Sequence, residues 1–335
     1  MALTEAGKPP TARTRERHTA RHPWLGVLRT AVRTPRGAVG LSLASLVVLL
    51  AIIGPLVSPG SPTDLATLSF AKPSGHFPLG SDFLGRDVLS RVLNGGWVLL
   101  IMAAAATAFG IIVGTAAGVS AAYRRGRTDG LIMRTVDVIL AFPQLVFALL
   151  LVSVIGPKLW LIVIAVGLSH APQVARVIRS ATLDVTERDF VKVVELQRMR
   201  SSKVMAREIL PNLISPLMVE SGLRLTYSIV IMSGLSFLGF GQQPPASNWG
   251  LMINENRIGL ELNPWAVIVP AALIAVLTIG TNTFTDAVAR VTLGVDRRPE
   301  EAVLADDIGA GLSDPDLQVS YLKPHHASAL GQRGG

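Results

Sequence analysis

The chain has 335 residues, half of them hydrophobic and only 16% charged, with a formal net charge of +8 and no cysteine. That balance points to a membrane protein, and because the basic residues sit at the ends of apolar runs without interleaved aromatics it argues against a nucleic-acid binder. The lack of cysteine excludes disulfides, thiolate metal sites and a cysteine nucleophile.

Residues 1–23 carry Lys8, Arg13, Arg15, Arg17 and Arg21 against Glu5 and Glu16, and read as a disordered basic cytoplasmic tail. Residues 24–95 then hold three things in turn. From Trp24 to Arg33, apolar residues are set against Arg29 and Arg33, as in a helix lying in the membrane interface. Residues 39–57 are apolar and uncharged, close to the ~20 residues that cross the ~30 Å hydrocarbon core. A signal peptide is the competing reading, but the basic region before this run is long and no small-residue cleavage site follows, so it is expected to be a retained anchor. Residues 58–95 are polar, with Pro59, Pro62, Pro73 and Pro78 and balanced charges, as expected outside the cytoplasm.

Further spans are expected at 97–120, 131–155, 159–177, 216–238 and 264–288, six in all. Arg and Lys cluster in the N-terminal tail, at Arg124 to Arg127, from Arg176 to Arg207, and at Arg290 to Arg298. These regions share one side of the membrane if both termini are cytoplasmic. Span two is rich in small residues, among them Gly110, Gly114 and Gly118, which make a helix-packing face. Trp97, Trp160 and Trp265 stand at span ends and Trp249 in an outside loop, all read as interfacial anchors. The Gly- and Pro-rich stretch 239–248 cannot continue a helix through Pro244-Pro245 and is expected to bend near the mouth of a pathway, where a substrate-binding protein sits.

Between spans four and five lies a polar stretch, residues 186–212. Its apolar members Phe190, Val191, Val194, Leu196, Val204, Met205, Ile209 and Leu210 recur at roughly helical spacing. Short amphipathic helices are predicted, forming a surface for a soluble partner. Residues 291–335 read as a cytoplasmic C-terminal tail; His325-His326 is tail composition, with no further ligand at zinc spacing, so no metal site is expected.

Ionisable groups inside spans cost ~2.5–3.5 kcal/mol each on insertion scales and so require an explanation. Glu220 and Arg224 stand four apart on one helix face, His170 lies in span four, and Asp137 with Arg134 lies in span three. For each there are two readings: a polar contact between packed helices, or a contact with a solute in a translocation path.

Two flanks of the polar stretch, Arg188-Asp189-Phe190-Val191 and Ile209-Leu210-Pro211-Asn212, resemble the coupling loop of binding-protein-dependent ABC importer permeases. The runs Pro78 to Asp87, Asp137 to Pro143 and Gly234 to Gly241, with Gln243-Pro244-Pro245, are similar to the C-type subunits of the dipeptide, oligopeptide and nickel subfamily. The resemblance covers about residues 24–298. It implies an all-α membrane protein with the type I importer permease fold, a permease domain at 96–290, and cytoplasmic coupling helices between spans four and five. It assigns ATPase coupling to Arg188, Asp189, Phe190, Lys192, Glu195, Arg198, Lys203, Leu210 and Pro211, and makes Glu220, Arg224, Asp137 and His170 candidates for the path.

The implied function is a subunit of an ATP-driven importer of dipeptides or short oligopeptides in the cytoplasmic membrane; nickel or another small solute is the alternative cargo. Implied partners are a homologous B-type permease, cytoplasmic ATPase subunits, an extracytoplasmic peptide-binding protein and membrane lipid. The chain carries no GxxxxGK[ST] loop to cradle phosphates, so it is expected to bind no cofactor and to leave ATP and Mg to the ATPase subunits.

Where the family has Glu-Ala-Ala this chain has Lys192-Val193-Val194, and Arg198 replaces the family's turn glycine; Met232 falls where a Glu often precedes the Leu-Ser-Phe run. Either the loop meets an acidic ATPase surface, or it has drifted while a partner permease keeps the standard loop. Two other classes are weighed. A membrane enzyme requires a cluster of His and carboxylates near one membrane face, whereas Asp137, His170 and Glu220 are spread over three spans. A non-transporting scaffold or receptor is the third class.

Overall fold

Apolar helices dominate, joined by short turns except at the longer segments 58–87 and 238–248. The structure, a computed structural model, describes residues 23–65, 67–197 and 199–294. The basic tail up to residue 22, Arg198, and the C-terminal segment beyond 294 with His325-His326 lie outside the described residues. The chain divides into two units, residues 1–289 and residues 290–335.

Helix α1, Pro23–Arg33, ends in a turn in which the Thr34 hydroxyl accepts a hydrogen bond from the Gly37 amide at 3.1 Å, and Pro35 begins α2, Pro35–Val57. A side chain at Gly37 would sit 1.9 Å from the Ala31 carbonyl oxygen, so the turn requires glycine there. Helix α3, Val88–Asn94, is capped by the Asp87 carboxylate on the amides of Leu89 and Ser90. After it come α4 (Trp97–Arg124), α5 (Gly126–Leu140), α6 (Gln144–Ile155) and α7 (Leu159–Thr186). Next are α8 (Asp189–Leu196) and α9 (Ser201–Val204), the latter running into a π-turn at Met205–Ile209 and a 3₁₀ turn at Leu210–Leu213. Three helices complete the fold: α10 (Ile214–Phe237), α11 (Trp249–Asn256) and α12 (Trp265–Thr292).

The expected count of six spans is not reached on length and apolarity. Among the described residues four stretches qualify, namely α2, α3 with α4, α7 and α12, and five if α5 and α6 count as one broken span. The expected span at 131–155 is two helices meeting at 87°, because Pro143 has no amide hydrogen and its ring disfavours helix in the residue before it. Helix α10 has 24 residues, about 36 Å at 1.5 Å each, but Glu220, Arg224 and its hydroxyls lower its apolarity. Burying their polar groups is what its packing, described below, achieves.

The most extensive helix pair is α4 with α7. A Cβ on Gly110, Gly114 or Gly118 would stand 2.8, 2.6 or 2.6 Å from the carbonyl oxygens of Gly167, Ala171 and Ala175 respectively. The contact therefore repeats once per turn, backbone against backbone, as small residues permit where lipid gives helices no hydrophobic reason to associate. Gly114→Ala is expected to separate the pair and destabilise the fold by about 1–3 kcal/mol. Gly130→Ala, where a Cβ meets nothing within 4 Å, is the matched control. Thermal unfolding in detergent reads both; equal midpoints would refute the backbone-contact account.

Two clusters of buried apolar side chains result. The larger includes Val47, Leu99, Ile162, Val166, Met232 and Trp249. The second lies beneath α8 and α9 and includes Val119, Val174, Ile178, Val191, Val204 and Ile209. Trp249 corrects an expectation: it opens α11 fully buried, its Nε1 donating to the Val92 carbonyl at 2.8 Å. A ring that fills a core and satisfies its N–H there has no part in interfacial anchoring. Trp97, Trp160 and Trp265 are about half exposed.

Candidate functional site

The polar stretch folds as its periodicity predicts, into α8 and α9, and its seat is the second cluster. Val191, Val204 and Ile209 are fully buried, which ties the stretch to Val119 of α4 and to Val174 and Ile178 of α7. Their chain neighbours point the other way: Phe190, Val193 and Leu210 are exposed, although the sequence grouped Phe190 with Val191 and Leu210 with Ile209. Consecutive helical residues are about 100° apart and cannot share a narrow face. Arg188, Asp189, Lys203 and Pro211 are exposed as well. Asn212 Nδ2 donates to the Glu208 carbonyl at 2.6 Å, bridging the turn that leads into α10. The side chains of Lys192 and Glu195, like Arg198, lie outside the described residues. The outcome is a firmly seated loop with an apolar, charge-edged outer surface.

Inside the helices the ionisable groups find hydrogen-bond partners on neighbouring helices and one turn away on their own. Arg224 donates from Nε to Glu220 Oε2 at 3.1 Å and from Nη1 to Gln173 Oε1 on α7, and its guanidinium lies 5.3 Å from the centre of the Tyr227 ring. One turn further along both helices, a His170 ring nitrogen lies 3.0 Å from Ser228 Oγ, which in turn contacts Thr107 Oγ1 of α4 at 3.1 Å. Gln144, the first residue of α6, donates to the Ser169 carbonyl at 3.2 Å and meets His170 Nδ1 at 3.4 Å. Side-chain hydrogen bonds thus join α4, α6, α7 and α10 in the interior, where unpaired polar groups are costly.

Asp137 is placed differently. It does not pair with Arg134 but with Arg176 of α7 at 2.6 Å, and both side chains are about 60% exposed, at 62% and 60%. A cavity of about 850 Å³ opens between α4, α10 and α12, lined by Thr107, Ile111, Met218, Ser221 and Phe284 among others. A smaller one of about 450 Å³ adjoins it beside Met205 and Leu210. Neither includes Glu220, Arg224, Asp137 or His170 among its lining residues.

Two charged groupings bring together residues far apart in the sequence. Arg179 of α7 grips Asp129 of α5 with two hydrogen bonds of 2.6 Å. At the other end of the spans, residues 58–95 and 239–264 interlock into a cap around four buried charges. Asp82 accepts from Arg86 Nε at 2.7 Å and Arg91 Nη1 at 2.5 Å, and Glu255 accepts from the same two residues at 3.2 and 2.8 Å. Asn256 accepts from the Phe83 amide at 3.0 Å, and Asn263 Nδ2 donates to the carbonyls of Leu79 and Ser81 at 2.9 Å. Only Asp82 and Arg86 carry a local signal, their i,i+4 spacing within the run quoted above.

The helices thus carry a loop seated on the ends of α4 and α7, buried polar contacts between spans and a charge-knit cap at the opposite end. The family described as "Binding-protein-dependent transport system inner membrane component" matches residues 110–292, more than half the chain. The chain belongs to that family. The permease is also similar, at 30% identity over 85% of this chain and 93% of the relative, to the dipeptide transport system permease protein DppC of Alkalihalophilus pseudofirmus. It is 34% identical to the glutathione transport system permease protein GsiD of Pectobacterium atrosepticum, over 64% of this chain and 71% of that one. Among solved structures, a chain of the MetNI methionine ABC transporter in an inward-facing conformation aligns with TM-score 0.49 and 16% identity, covering 62% of this chain and 97% of that chain. As a family member with several apolar helices, the permease is a multi-pass membrane protein.

Proposed function

We propose that this permease is one of two transmembrane subunits of an ATP-driven importer that carries dipeptides and short oligopeptides inward across the cytoplasmic membrane. The observation that carries the cargo assignment is the likeness to a dipeptide transport permease along 93% of that relative's length. ATP and Mg are used by separate cytoplasmic ATPase subunits, a homologous B-type permease supplies the other half of the path, and an extracytoplasmic binding protein delivers the peptide. Both termini lie in the cytoplasm, and α10 is the fifth of six spans, its charges made tolerable by Gln173 and by each other.

The coupling surface is the exposed side of α8 and the turns after it, with Phe190, Val193, Lys203 and Leu210. Force applied there acts on Val191, Val204 and Ile209, which rest on α4 and α7, so the movement of the ATPases reaches several spans through one buried cluster. The rungs from His170 to Ser228 and from Gln173 to Arg224 keep α7 and α10 moving together. Of the four path candidates, Asp137 is the exposed one, while Glu220, Arg224 and His170 hold helices in place behind it.

The test is uptake by the full complex in proteoliposomes, supplied with its binding protein and labelled dipeptides, tripeptides and nickel. ATP-dependent accumulation of the peptides is expected. Accumulation of nickel without peptide would overturn the cargo, and no ATP-dependent uptake of any solute would overturn the importer reading.

A further inference from the structure

The cap carries more apolar surface than an aqueous face needs. The segment 58–95 is tied to itself, Ser81 Oγ donating to the Leu68 carbonyl at 2.6 Å, the Phe70 amide to the Asp82 carbonyl at 3.0 Å and Leu65 bridging to Arg86. It is tied to 239–264 through Glu255, Asn256 and Asn263. A Cβ on Gly259 would stand 2.1 Å from the Phe70 ring, so the turn at 257–262 lies directly against the segment 65–70. From this joint body Leu65, Leu68, Ile258, Leu260 and Leu262 project outward, Leu68 at 82% and Ile258 at 86% exposure. Arg257 and Glu261 are exposed among them.

Rigid leucines turned to water would be a liability, since large exposed apolar patches in proteins mark interaction surfaces. What covers these is indicated by where they stand. Leu56 and Val57, both largely exposed, end α2 just before the cap begins, and Trp265, half exposed, opens α12 three residues after Leu262. Exposed apolar side chains of two spans thus flank the cap's leucines along the chain, just before Trp265 on one side and across the short, largely exposed stretch Ser61 to Asp64 on the other. Asp64, Arg257 and Glu261 are the kind of side chain that reaches headgroups while its neighbours enter the acyl boundary.

We propose that this leucine rim is a foot seated in the bilayer: the side chains of Leu65, Leu68, Ile258, Leu260 and Leu262 enter the leaflet on the cap's side, the outer leaflet in the orientation proposed above. The partner is a phospholipid surface, and the effect is to fix the height and tilt of the cap, and with it the mouth of the permease, relative to the membrane. The four-charge cluster then has a function beyond stability, since a foot transmits its position only if the body above it is stiff.

The cysteine-free chain permits a direct test. Nitroxide labels are placed at Ile258→Cys and, separately, Leu68→Cys in the full complex in phospholipid nanodiscs, with the cysteines of the other subunits replaced. Ile268→Cys on α12 is the lipid-facing reference and His76→Cys, on the polar part of the cap, the aqueous one. Both foot labels are expected to match Ile268, with high collision rates for oxygen and rates for a water-soluble nickel chelate several-fold below those at His76. Chelate access equal to that at His76 would overturn the proposal. So would chelate access lost only when binding protein is added, or immobilisation that persists in detergent, which would mark a protein partner on this face. Because depth is read in either orientation, a failed foot is distinguishable from a failed topology; a membrane-impermeant thiol reagent applied to His76→Cys in cells reports the latter.

Discussion

Asp82→Ala is expected to be among the most damaging single changes in the permease, destabilising the cap by about 3–5 kcal/mol. Asp82 is fully buried between two guanidinium groups, and its Oδ1 also accepts from the amides of Leu84 at 2.9 Å and Arg86 at 2.8 Å. With Glu255 it balances Arg86 and Arg91 charge for charge. Removing it leaves two buried cations facing one carboxylate and two amides without their acceptor, and an uncompensated buried charge costs far more than the pair contributes. Limited proteolysis of the cap, with thermal unfolding of the purified complex, measures the effect. Asp82→Asn, which keeps the shape and part of the hydrogen bonding, is expected to fall between wild type and Ala. A wild-type protease pattern in Asp82→Ala would show that water reaches these charges and that the cluster is not the cap's frame.

The second large effect is expected at Arg224. In Arg224→Ala the Glu220 carboxylate remains buried without its ion pair and Gln173 loses its donor, a loss again of about 3–5 kcal/mol, with the yield of assembled complex reduced. The informative variant is the double replacement Glu220→Leu with Arg224→Met, which removes both charges and keeps the volume; such swaps are often neutral or stabilising. If the pair only packs α10 on α7, the double variant assembles and transports labelled dipeptide at close to the wild-type rate. Normal assembly with transport lost would place the pair in the path and contradict the role given to it above.

How far these features were legible differs from residue to residue. The run 39–57 announced α2, and the charged stretch between spans four and five announced α8 and α9, because hydropathy over a few turns reports which segments sit in lipid and which do not. Pro143 was in view yet the break beside it was not expected, since apolarity continues unchanged across it and only the backbone registers the missing amide. Trp249 was misplaced for a related reason: a tryptophan beside polar residues looks the same whether its indole meets a headgroup or the Val92 carbonyl.

The sequence by itself determined that this is a helical membrane protein, where its main apolar helices run, and that the polar stretch between them forms short amphipathic helices. These follow from local composition, because the cost of placing a residue in lipid depends mainly on that residue and its helical neighbours. Only the tertiary structure decided what the charges do. Arg91 finds Glu255 across 164 residues, Arg179 finds Asp129 across 50 and Arg224 finds Gln173 across 51. Such partners are chosen by which helix faces meet, and that is set by steric contacts such as those of Gly110, Gly114 and Gly118 against α7, where a fraction of an ångström separates a fit from a clash.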